Sequence, residues 1–216
     1  MHRNSSPQKH LVASSLSTRD KIFHVALDLF YRSSYESVSM RDIAQAANVK
    51  IPTIYNHFES KEAILQSFYD FYKKHWSQAI PNIDKLLPLV GIKQPYELLT
   101  KVKYRFDPAL QQTMGRIFCL AVRDINFKRS EEFIQVHVID TVNQLLRPLL
   151  ETMLAMGQIE PLDIDVFLCL VTNYAFSAAF LSDSTFHITQ ETWFAGLDML
   201  YSIIKPTNDS ASRTLG

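Results

Sequence analysis

The stretch VSMRDIAQAANVKIPTIYNHF, residues 38–58, predicts two short helices joined by a tight turn. In the first segment, apolar side chains recur at the spacing of one helical face, namely Met40, Ile43, Ala44 and Ala47. Ser39 precedes this face and Asp42 lies three positions later, so that a hydroxyl and a carboxylate can satisfy the free amides of a helix start. Asn48 follows, a residue that tolerates the left-handed backbone needed for a sharp turn.

The second segment repeats the helical spacing with Ile51, Ile54, Tyr55 and Phe58. Its other side carries short polar residues and a proline, namely Pro52, Thr53, Asn56 and His57. A helix held by one face, with hydrogen-bonding side chains on the other, is suited to the major groove of DNA. We therefore predict a helix-turn-helix whose second helix reads DNA.

A longer region resembles the DNA-binding domain of the TetR family of bacterial transcriptional regulators, from Thr18 to about Phe71. The phrases SMRDIAQAANV and TIYNHFESKEAIL resemble the family's second helix, recognition helix and start of the fourth helix. The family's first-helix core is matched by Ile22, Ala26, Leu29 and Phe30. The sequence departs from the family pattern at Ser34, Asn48, Ile51, Pro52 and Glu59, so the operator sequence does not follow from the resemblance.

The predicted DNA-binding residues lie in and around the two short helices. We expect Lys50, Tyr55 and His57 to contact mainly phosphates, and Thr53 and Asn56 to contact mainly base edges. Packing alone is the competing interpretation for Tyr55. The full predicted set comprises Ser39, Arg41, Lys50, Pro52, Thr53, Tyr55, Asn56, His57 and Lys61.

The charge of the chain is zero overall but unevenly distributed. Residues 1–80 hold 10 Lys or Arg against 7 Asp or Glu, a net +3, and the remainder holds 12 against 15, a net −3. The basic excess therefore accompanies the helix-turn-helix, as attraction to phosphate requires, although so small a difference could also arise by chance. The only cysteines, Cys119 and Cys169, are too few for a disulfide framework or a zinc site. We predict that both are buried, with no metal and no cofactor.

The remaining chain is predicted to be entirely helical, giving an all-α protein. A chain of 216 residues with 47% apolar content can bury one sizeable core and a small accessory domain. We expect the fourth helix to begin at Lys61 and to bury Leu65, Phe68, Tyr72 and Trp76. Further helices are predicted near 96–105, 108–126, 131–156, 162–182 and 190–204. The predicted divisions are a disordered tail at 1–16, a DNA-binding domain at 17–62, an effector-binding and dimerisation domain at 63–204, and a flexible tail at 205–216.

The C-terminal helices are rich in aromatic residues, which could enclose a pocket of a few hundred cubic ångströms, although ordinary core packing explains any single aromatic better. Family resemblance implies that such a pocket binds a small apolar or aromatic effector. The predicted effector-binding residues are Tyr104, Phe118, Phe133, His137, Asn143, Asn173, Tyr174 and Ser177. The polar members could equally be satisfied within the core or exposed.

Self-association is predicted from the last two helices, because the helix near Ile164–Leu181 is apolar nearly all round and needs cover on both faces. Two copies would form a four-helix interface, as in TetR-like dimers, although both helices could instead complete the protomer core. The predicted interface residues are Phe176, Ala179, Phe180, Trp193, Leu197, Leu200 and Tyr201.

Together these features predict a cytoplasmic, homodimeric repressor that an effector releases from a palindromic DNA operator. Repression and effector control are implied by the family resemblance alone. The alternative is a DNA-binding protein of the same fold without a small-molecule effector, controlled by a protein partner or acting as an activator. No catalytic spacing accompanies the histidines, so we do not expect an enzyme. The polar interruptions of residues 164–181 argue against a membrane span, and the N-terminus does not resemble a signal peptide.

Overall fold

The computed structural model describes residues 16–101, 107–123, 128–181 and 190–207. Every regular element in these ranges is helical, apart from two isolated backbone bridges, which confirms the all-α prediction. The helices are α1 Thr18–Arg32, α2 Met40–Ala47, α3 Ile51–Tyr55, α4 Lys61–Ala79, α5 Ile83–Leu86, α6 Pro95–Lys101, α7 Pro108–Arg123, α8 Lys128–Ile134, α9 Thr141–Ala155, α10 Ile164–Leu181 and α11 Gln190–Tyr201. A 3-10 turn, Leu87–Leu89, follows α5, and a π-helical segment, Gln135–Asp140, joins α8 to α9.

The described residues separate into two compact units, one ending at Phe71 and the other beginning at Tyr72. This division falls within α4, so that one helix contributes residues to both units. The sequence-based boundary, after residue 62, lies at the start of the same helix.

The first unit is built around the apolar face of α1. Ile22, Ala26 and Phe30 are completely buried, as their helical spacing predicts. Phe68 of α4 packs edge-on against two rings of α1, with its ring centre 4.9 Å from that of Phe23 and 5.9 Å from that of Phe30. Such edge-to-face contacts fix the distance between the two helices that support the short reading helices.

The second unit has its core along α9, α10 and α11. Leu149 and Met153 of α9 and Phe167 of α10 are almost fully buried there. The sequence predicted one uninterrupted helix at 131–156, whereas the structure inserts the π segment before α9. A π turn holds one extra residue and leaves no distinctive pattern in the sequence, which is why periodicity missed it.

Two other predictions of burial and order are wrong. Cys119 is buried as expected, but Cys169 is exposed on α10. Residues 205–207 are not a loose tail, because the amide of Glu160 donates to the carbonyl of Lys205 at 2.9 Å and that of Thr207 donates to Gln158 at 3.0 Å. The predicted tail at residues 1–15, the remainder of the tail at 208–216, and the predicted helix ends at 105, 126 and 182 lie outside the described residues. Over the described ranges, no helix is both long and apolar enough to cross a bilayer.

Candidate DNA-binding interface

The first reading helix, α2, begins with the capping arrangement that the sequence predicts. The amide of Asp42 donates to Ser39 Oγ at 3.2 Å, and the amide of Ser39 donates to Asp42 Oδ2 at 2.8 Å. These reciprocal bonds satisfy two amides that the helix itself leaves free. The Ser39 hydroxyl also donates to Asp42 Oδ2 at 2.6 Å, and this bond, followed by the bond from the Ser39 amide, lowers the pKa of the Asp42 carboxyl.

The turn after α2 is made by Asn48 in the left-handed conformation, with φ 50° and ψ 50°. It is the one non-glycine residue with positive φ among the residues described. Its amide donates to the carbonyls of Ala44 and Gln45, which ends the helix and redirects the chain toward α3. This prediction is confirmed, since asparagine is one of the few residues that adopts this backbone readily.

The second reading helix, α3, is held from behind by a buried isoleucine. Ile54 has no exposed surface, and Phe58, just after the helix, is also buried. The helix is shorter than the apolar spacing suggested, because it ends at Tyr55 and Asn56 forms its C-cap. Pro52 lies in the first turn, where its missing N–H costs no hydrogen bond.

The polar side of this helix-turn-helix is open to solvent. Lys50, Asn56 and His57 are exposed, Thr53 is partly buried, and Tyr55 is 51% exposed, which argues against packing as its only role. On α2 and its cap, Ser39 and Arg41 are exposed as well. The predicted DNA-binding residues other than Lys61 therefore lie on accessible parts of α2, α3 and the turns that flank them.

Lys61 is more constrained than the sequence suggests. Its ammonium group donates to the carbonyl of Tyr35 at 2.9 Å and to that of Val38 at 3.1 Å. Beside it, the Tyr35 hydroxyl donates to Glu62 Oε1 at 3.0 Å. The pKa of Glu62 is lowered, first by its own backbone amide and then by the hydroxyls of Ser60 and Tyr35. Lys61 thus ties the start of α4 to the α1–α2 connection, with one N–H left for another acceptor.

Arg19 is a cation near the reading helix that the sequence analysis missed. Its guanidinium carbon lies 4.6 Å from the centre of the Phe58 ring, and its side chain is exposed. Phe58 directly follows the α3 turn, so this cation–π contact places a positive charge from α1 at the edge of the interface. An arginine in the first turn of a helix gives no sequence signal that distinguishes it from any other surface arginine.

The predicted effector-binding residues serve mainly to pack the second unit. Phe118 and Phe133 are buried, and the Phe133 ring lies 4.8 Å from that of Tyr72 and 5.0 Å from that of His137. Burial, with a smaller effect of Lys73, lowers the pKa of His137. The Tyr174 hydroxyl donates to the carbonyl of Trp193 at 3.1 Å.

The polar candidates Asn143, Asn173 and Ser177 do not line the cavity that the structure describes in the second unit. Asn143 of α9 donates to the carbonyl of Ile139 in the π segment at 2.8 Å, and Asn173 donates to the carbonyl of Cys169 within α10 at 2.9 Å. Asn173 and Ser177 are exposed on α10. Tyr104 lies outside the described residues.

A cavity of about 60 Å³ does lie within the second unit, but none of the described residues predicted to bind an effector lines it. It is bordered instead by α4, the π segment, α9, α10 and α11, through residues that include Trp76, Val138, Thr141, Val171, Trp193 and Tyr201. This cavity is smaller than the pocket of several hundred cubic ångströms that the sequence analysis expects, and its wall consists mainly of aliphatic and aromatic side chains. Among the side chains that the structure describes, no group of three or more His, Cys, Asp or Glu could hold a metal ion.

Three of the predicted dimer residues face the protomer interior. Leu197 and Tyr201 are buried, and Trp193 is partly buried; all three line the cavity. Phe176 packs against Phe118 with ring centres 5.2 Å apart. Leu200 is partly buried, and the side chains of Ala179 and Phe180 lie outside the described part of the structure.

The exposed sides of α10 and α11 carry different residues, spaced by three or four positions. We call them the outer rows, comprising Val166, Leu170, Asn173 and Ser177 on α10, Thr192, Ala195 and Met199 on α11, and Ile203 in the turn after α11. Met199 is 73% exposed, an unusual exposure for a large apolar side chain. A helix that is apolar nearly all round does not reveal which face the protomer buries, so the spacing of apolar residues alone does not distinguish the outer rows from the buried face.

The segment that forms this interface matches a known family of proteins. Residues 22–68 match the model of the bacterial regulatory proteins of the tetR family. The chain is 32% identical over 104 residues to the probable HTH-type transcriptional regulator YttP of Bacillus subtilis (strain 168), covering 42% of this chain and 50% of that protein. It is 35% identical over 54 residues to the HTH-type transcriptional repressor ComR of Escherichia coli (strain K12), covering 25% of this chain and 26% of ComR. The matches thus span about half of one curated relative and a quarter of the other.

Solved structures share the fold over most of the chain. A TetR-like transcriptional regulator from Rhodococcus sp. RHA1 superposes with a TM-score of 0.55 at 15% identity, covering 86% of this chain and 93% of that one. The ketosteroid transcriptional regulator KstR2 of Mycobacterium tuberculosis also gives a TM-score of 0.55, at 17% identity, covering 88% of this chain and 95% of KstR2. At these identities the likeness concerns the arrangement of helices.

Proposed function

We propose that this chain is a TetR-type repressor of transcription that binds a palindromic DNA operator as a homodimer, because residues 22–68 match the model of the tetR family. The observation that carries the proposal is the construction of α3: Ile54 is fully buried while Asn56 and Lys50 are exposed. This combination holds the helix rigidly and leaves its polar side available to a groove.

In this proposal the exposed residues divide into two groups. Thr53 and Asn56 contact base edges, since a hydroxyl and a carboxamide can each donate and accept hydrogen bonds there. The contacts to phosphate come from Lys50, Tyr55 and His57, joined by Ser39, Arg41 and Arg19, while Pro52 touches the groove surface. Lys61 acts chiefly by supporting the domain, because two of its donors already bind backbone carbonyls.

Dimerisation in this proposal uses the outer rows of α10 and α11. Burying Met199, Ile203 and Leu170 against a second copy removes apolar surface from water, at about 25 cal/mol per Å². A twofold axis makes each row contact its counterpart, giving a four-helix interface. Two reading helices would then lie one turn of DNA apart, about 34–36 Å, which corresponds to a palindromic operator.

Repression is supported by the similarity of residues in this chain to part of ComR, which is a transcriptional repressor. Relatives of this kind regulate transcription, so we propose no catalytic activity, and we place the protein in the bacterial cytoplasm with its DNA. A second candidate is a regulator of the same fold without a small-molecule effector, controlled by a protein partner or acting as an activator. The described cavity of the second unit, about 60 Å³, is compatible with this candidate.

Selection of bound duplexes from a random library tests the proposed function. We expect the full chain to recover an inverted repeat, with half-site centres about 10–10.5 base pairs apart. Affinity for the recovered duplex should fall steeply with salt, because each phosphate contact releases counterions. Recovery of no common sequence, together with binding that salt does not weaken, would contradict the proposal.

A further inference from the structure

The apolar residues of α3 and its following turn do not all face the protein. Helical spacing predicts a single apolar face made of Ile51, Ile54, Tyr55 and Phe58. Ile54 is completely buried and Phe58 is 3% exposed, whereas Ile51 is only half-buried and Tyr55 is 51% exposed. Part of the predicted apolar face therefore remains accessible along one side of the helix.

The order of residues around α3 shows which accessible side chains lie together. Successive side chains of a helix are about 100° apart, and Asn56 continues the helical backbone with φ −67° and ψ −19°. Pro52 and Asn56 therefore project opposite the buried Ile54. Ile51 lies next to Pro52 on one flank, while Thr53 lies on the other flank. We call Ile51 and Pro52 the apolar edge of α3.

The apolar edge has no hydrogen-bonding group in either of its side chains. Pro52 also lacks a backbone N–H, and its carbonyl already accepts from the amide of Asn56 at 3.1 Å. Such a surface, pressed against a polar part of a base, removes water from acceptors and donors without replacing the lost hydrogen bonds. It therefore disfavours most of the groups that bases present in the major groove.

One group in the major groove matches the apolar edge. Thymine carries a methyl group at C5, which is the apolar feature among the base edges exposed there. Contact between this methyl group and an aliphatic side chain removes both from water. Cytosine lacks the methyl group and presents an amino donor, which the apolar edge cannot satisfy.

We propose that Ile51 and Pro52 determine part of the operator sequence by contacting the C5-methyl group of a pyrimidine, thymine in ordinary DNA, in each half-site. The recognised feature is the methyl group itself and not the base pair that carries it. Thr53 and Asn56 keep their contacts with neighbouring base edges. This inference rests on the proposed function, because it requires α3 to lie in the major groove, and it adds the chemistry that one part of the helix selects.

Replacing thymine by deoxyuridine tests the contact, because the two differ only by the C5-methyl group. Each thymine of the selected duplex is replaced in turn, in one half-site and then in both, and affinity for the full chain is measured by fluorescence anisotropy. We expect one position at which the replacement weakens binding by about fourfold in one half-site and about 16-fold in both. At this position, 5-methylcytosine paired with guanine should bind better than unmodified cytosine by a similar factor.

Variants of the apolar edge identify the residues that make the contact. Ile51→Ala should bind the thymine and deoxyuridine duplexes equally, and Pro52→Ala should reduce the difference between them. Ile92→Ala is the matched control, since it shortens an isoleucine that is 70% exposed in the second unit, and it should keep the full difference. If circular dichroism shows that Ile51→Ala does not fold, Ile51→Val keeps the branched side chain and should also reduce the difference.

The possible results separate this inference from the proposed function. A recovered inverted repeat in which no position responds to loss of the C5-methyl group would overturn the inference and leave DNA binding standing. A methyl effect of the same size in wild type, Ile51→Ala and Pro52→Ala would assign the contact to other residues and overturn the role of the apolar edge. Recovery of no common sequence would instead contradict the proposed function.

Discussion

The ammonium group of Lys61 contacts Tyr35 twice, donating to its carbonyl oxygen at 2.9 Å and lying 4.3 Å from the centre of its ring. A further hydrogen bond reaches the carbonyl of Val38 at 3.1 Å. Charged donors make stronger hydrogen bonds than neutral ones, and the aromatic face adds a cation–π contribution. The start of α4 is therefore fixed to the segment that leads into α2, within the first unit.

Replacing Lys61 by methionine should reduce stability more than it reduces contact with DNA. The substitution keeps the apolar stem but leaves two carbonyls without their charged donor, so we expect a loss of about 1–2 kcal/mol in the free energy of unfolding. Urea denaturation followed by circular dichroism measures this loss. Lys74→Met, at an exposed position of the same helix, should change stability by less than about 0.5 kcal/mol.

The salt dependence of DNA binding separates this supporting role from a phosphate contact. If Lys61 supports the domain only, the slope of log affinity against log salt should be the same in Lys61→Met and wild type. A slope smaller by about 0.9 would assign a phosphate contact to Lys61 and contradict the supporting role as the main one.

The turn at Asn48 predicts opposite outcomes for two substitutions. Asn48→Gly should change the free energy of unfolding by no more than a few tenths of a kcal/mol, because glycine adopts positive φ without strain. Asn48→Val should lower it by about 1–2 kcal/mol, because a β-branched residue clashes in the left-handed region. Thermal or urea unfolding measures both. Equal stabilities for the two variants would show that the turn does not require this backbone conformation.

The cap of α2 predicts that the stability of the protein depends on pH. Hydrogen bonds from Ser39 lower the pKa of Asp42 in the folded state, so the charged carboxylate favours folding above its unfolded pKa of about 4. This contribution is lost as the pH falls through the lower folded value. Asp42→Asn should therefore be less stable than wild type near neutral pH, with the difference shrinking below about pH 4. A difference that stays constant with pH would contradict this assignment.

Two substitutions at the interface should affect DNA binding in different ways. Asn56→Ala should relax the preference for one base pair in each half-site, a loss of about 1–3 kcal/mol of discrimination. Arg19→Gln should weaken binding to all sequences evenly and reduce the salt slope by about 0.9 for each phosphate that the protein no longer neutralises. Affinities for the selected duplex and for its single-base variants, measured over a range of salt, distinguish the two effects. If Asn56→Ala instead weakened binding to all sequences equally, Asn56 would not be a base contact.

The outer rows predict which surface mutation separates the dimer. Met199→Glu places a charge on the proposed interface and should raise the dimer dissociation constant by about 10²-fold, or ~3 kcal/mol. Met156→Glu is the matched control, since Met156 is also exposed, at 56%, but lies beyond the end of α9 and outside both rows. Analytical ultracentrifugation gives both constants. If the dimer tolerated Met199→Glu but not Leu197→Ala, the interface would instead lie on the face that carries Leu197.

The features that the sequence predicted correctly depend on neighbouring residues. Ser39 and Asp42 interact across one helical turn, and Asn48 adopts a backbone that its own side chain favours. The buried stripe of α4 likewise follows from spacing alone, because Leu65, Phe68, Tyr72 and Trp76 share one face of a helix. These are local rules, and tertiary packing in this chain agrees with them.

The features that it missed depend on contacts between distant residues. Lys61 is predicted to bind DNA, but its two carbonyl partners lie more than twenty positions away in the chain, so its supporting role has no local signal. Leu197 and Tyr201 are predicted to lie in the dimer interface, whereas the structure buries both within the protomer. The outer rows, the contact of Arg19 with Phe58 and the π segment became identifiable only once the helices were placed in space.

Methylation interference on the selected duplex tests most directly whether α3 enters the major groove. Dimethyl sulfate places a methyl group on guanine N7, which projects into that groove. We predict that methylation blocks binding at two positions related by symmetry, about 10–10.5 base pairs apart, and that Asn56→Ala changes the pattern at those positions. Binding that is unaffected by methylation at N7, or a pattern unchanged in Asn56→Ala and Thr53→Ala, would contradict a reading role for α3.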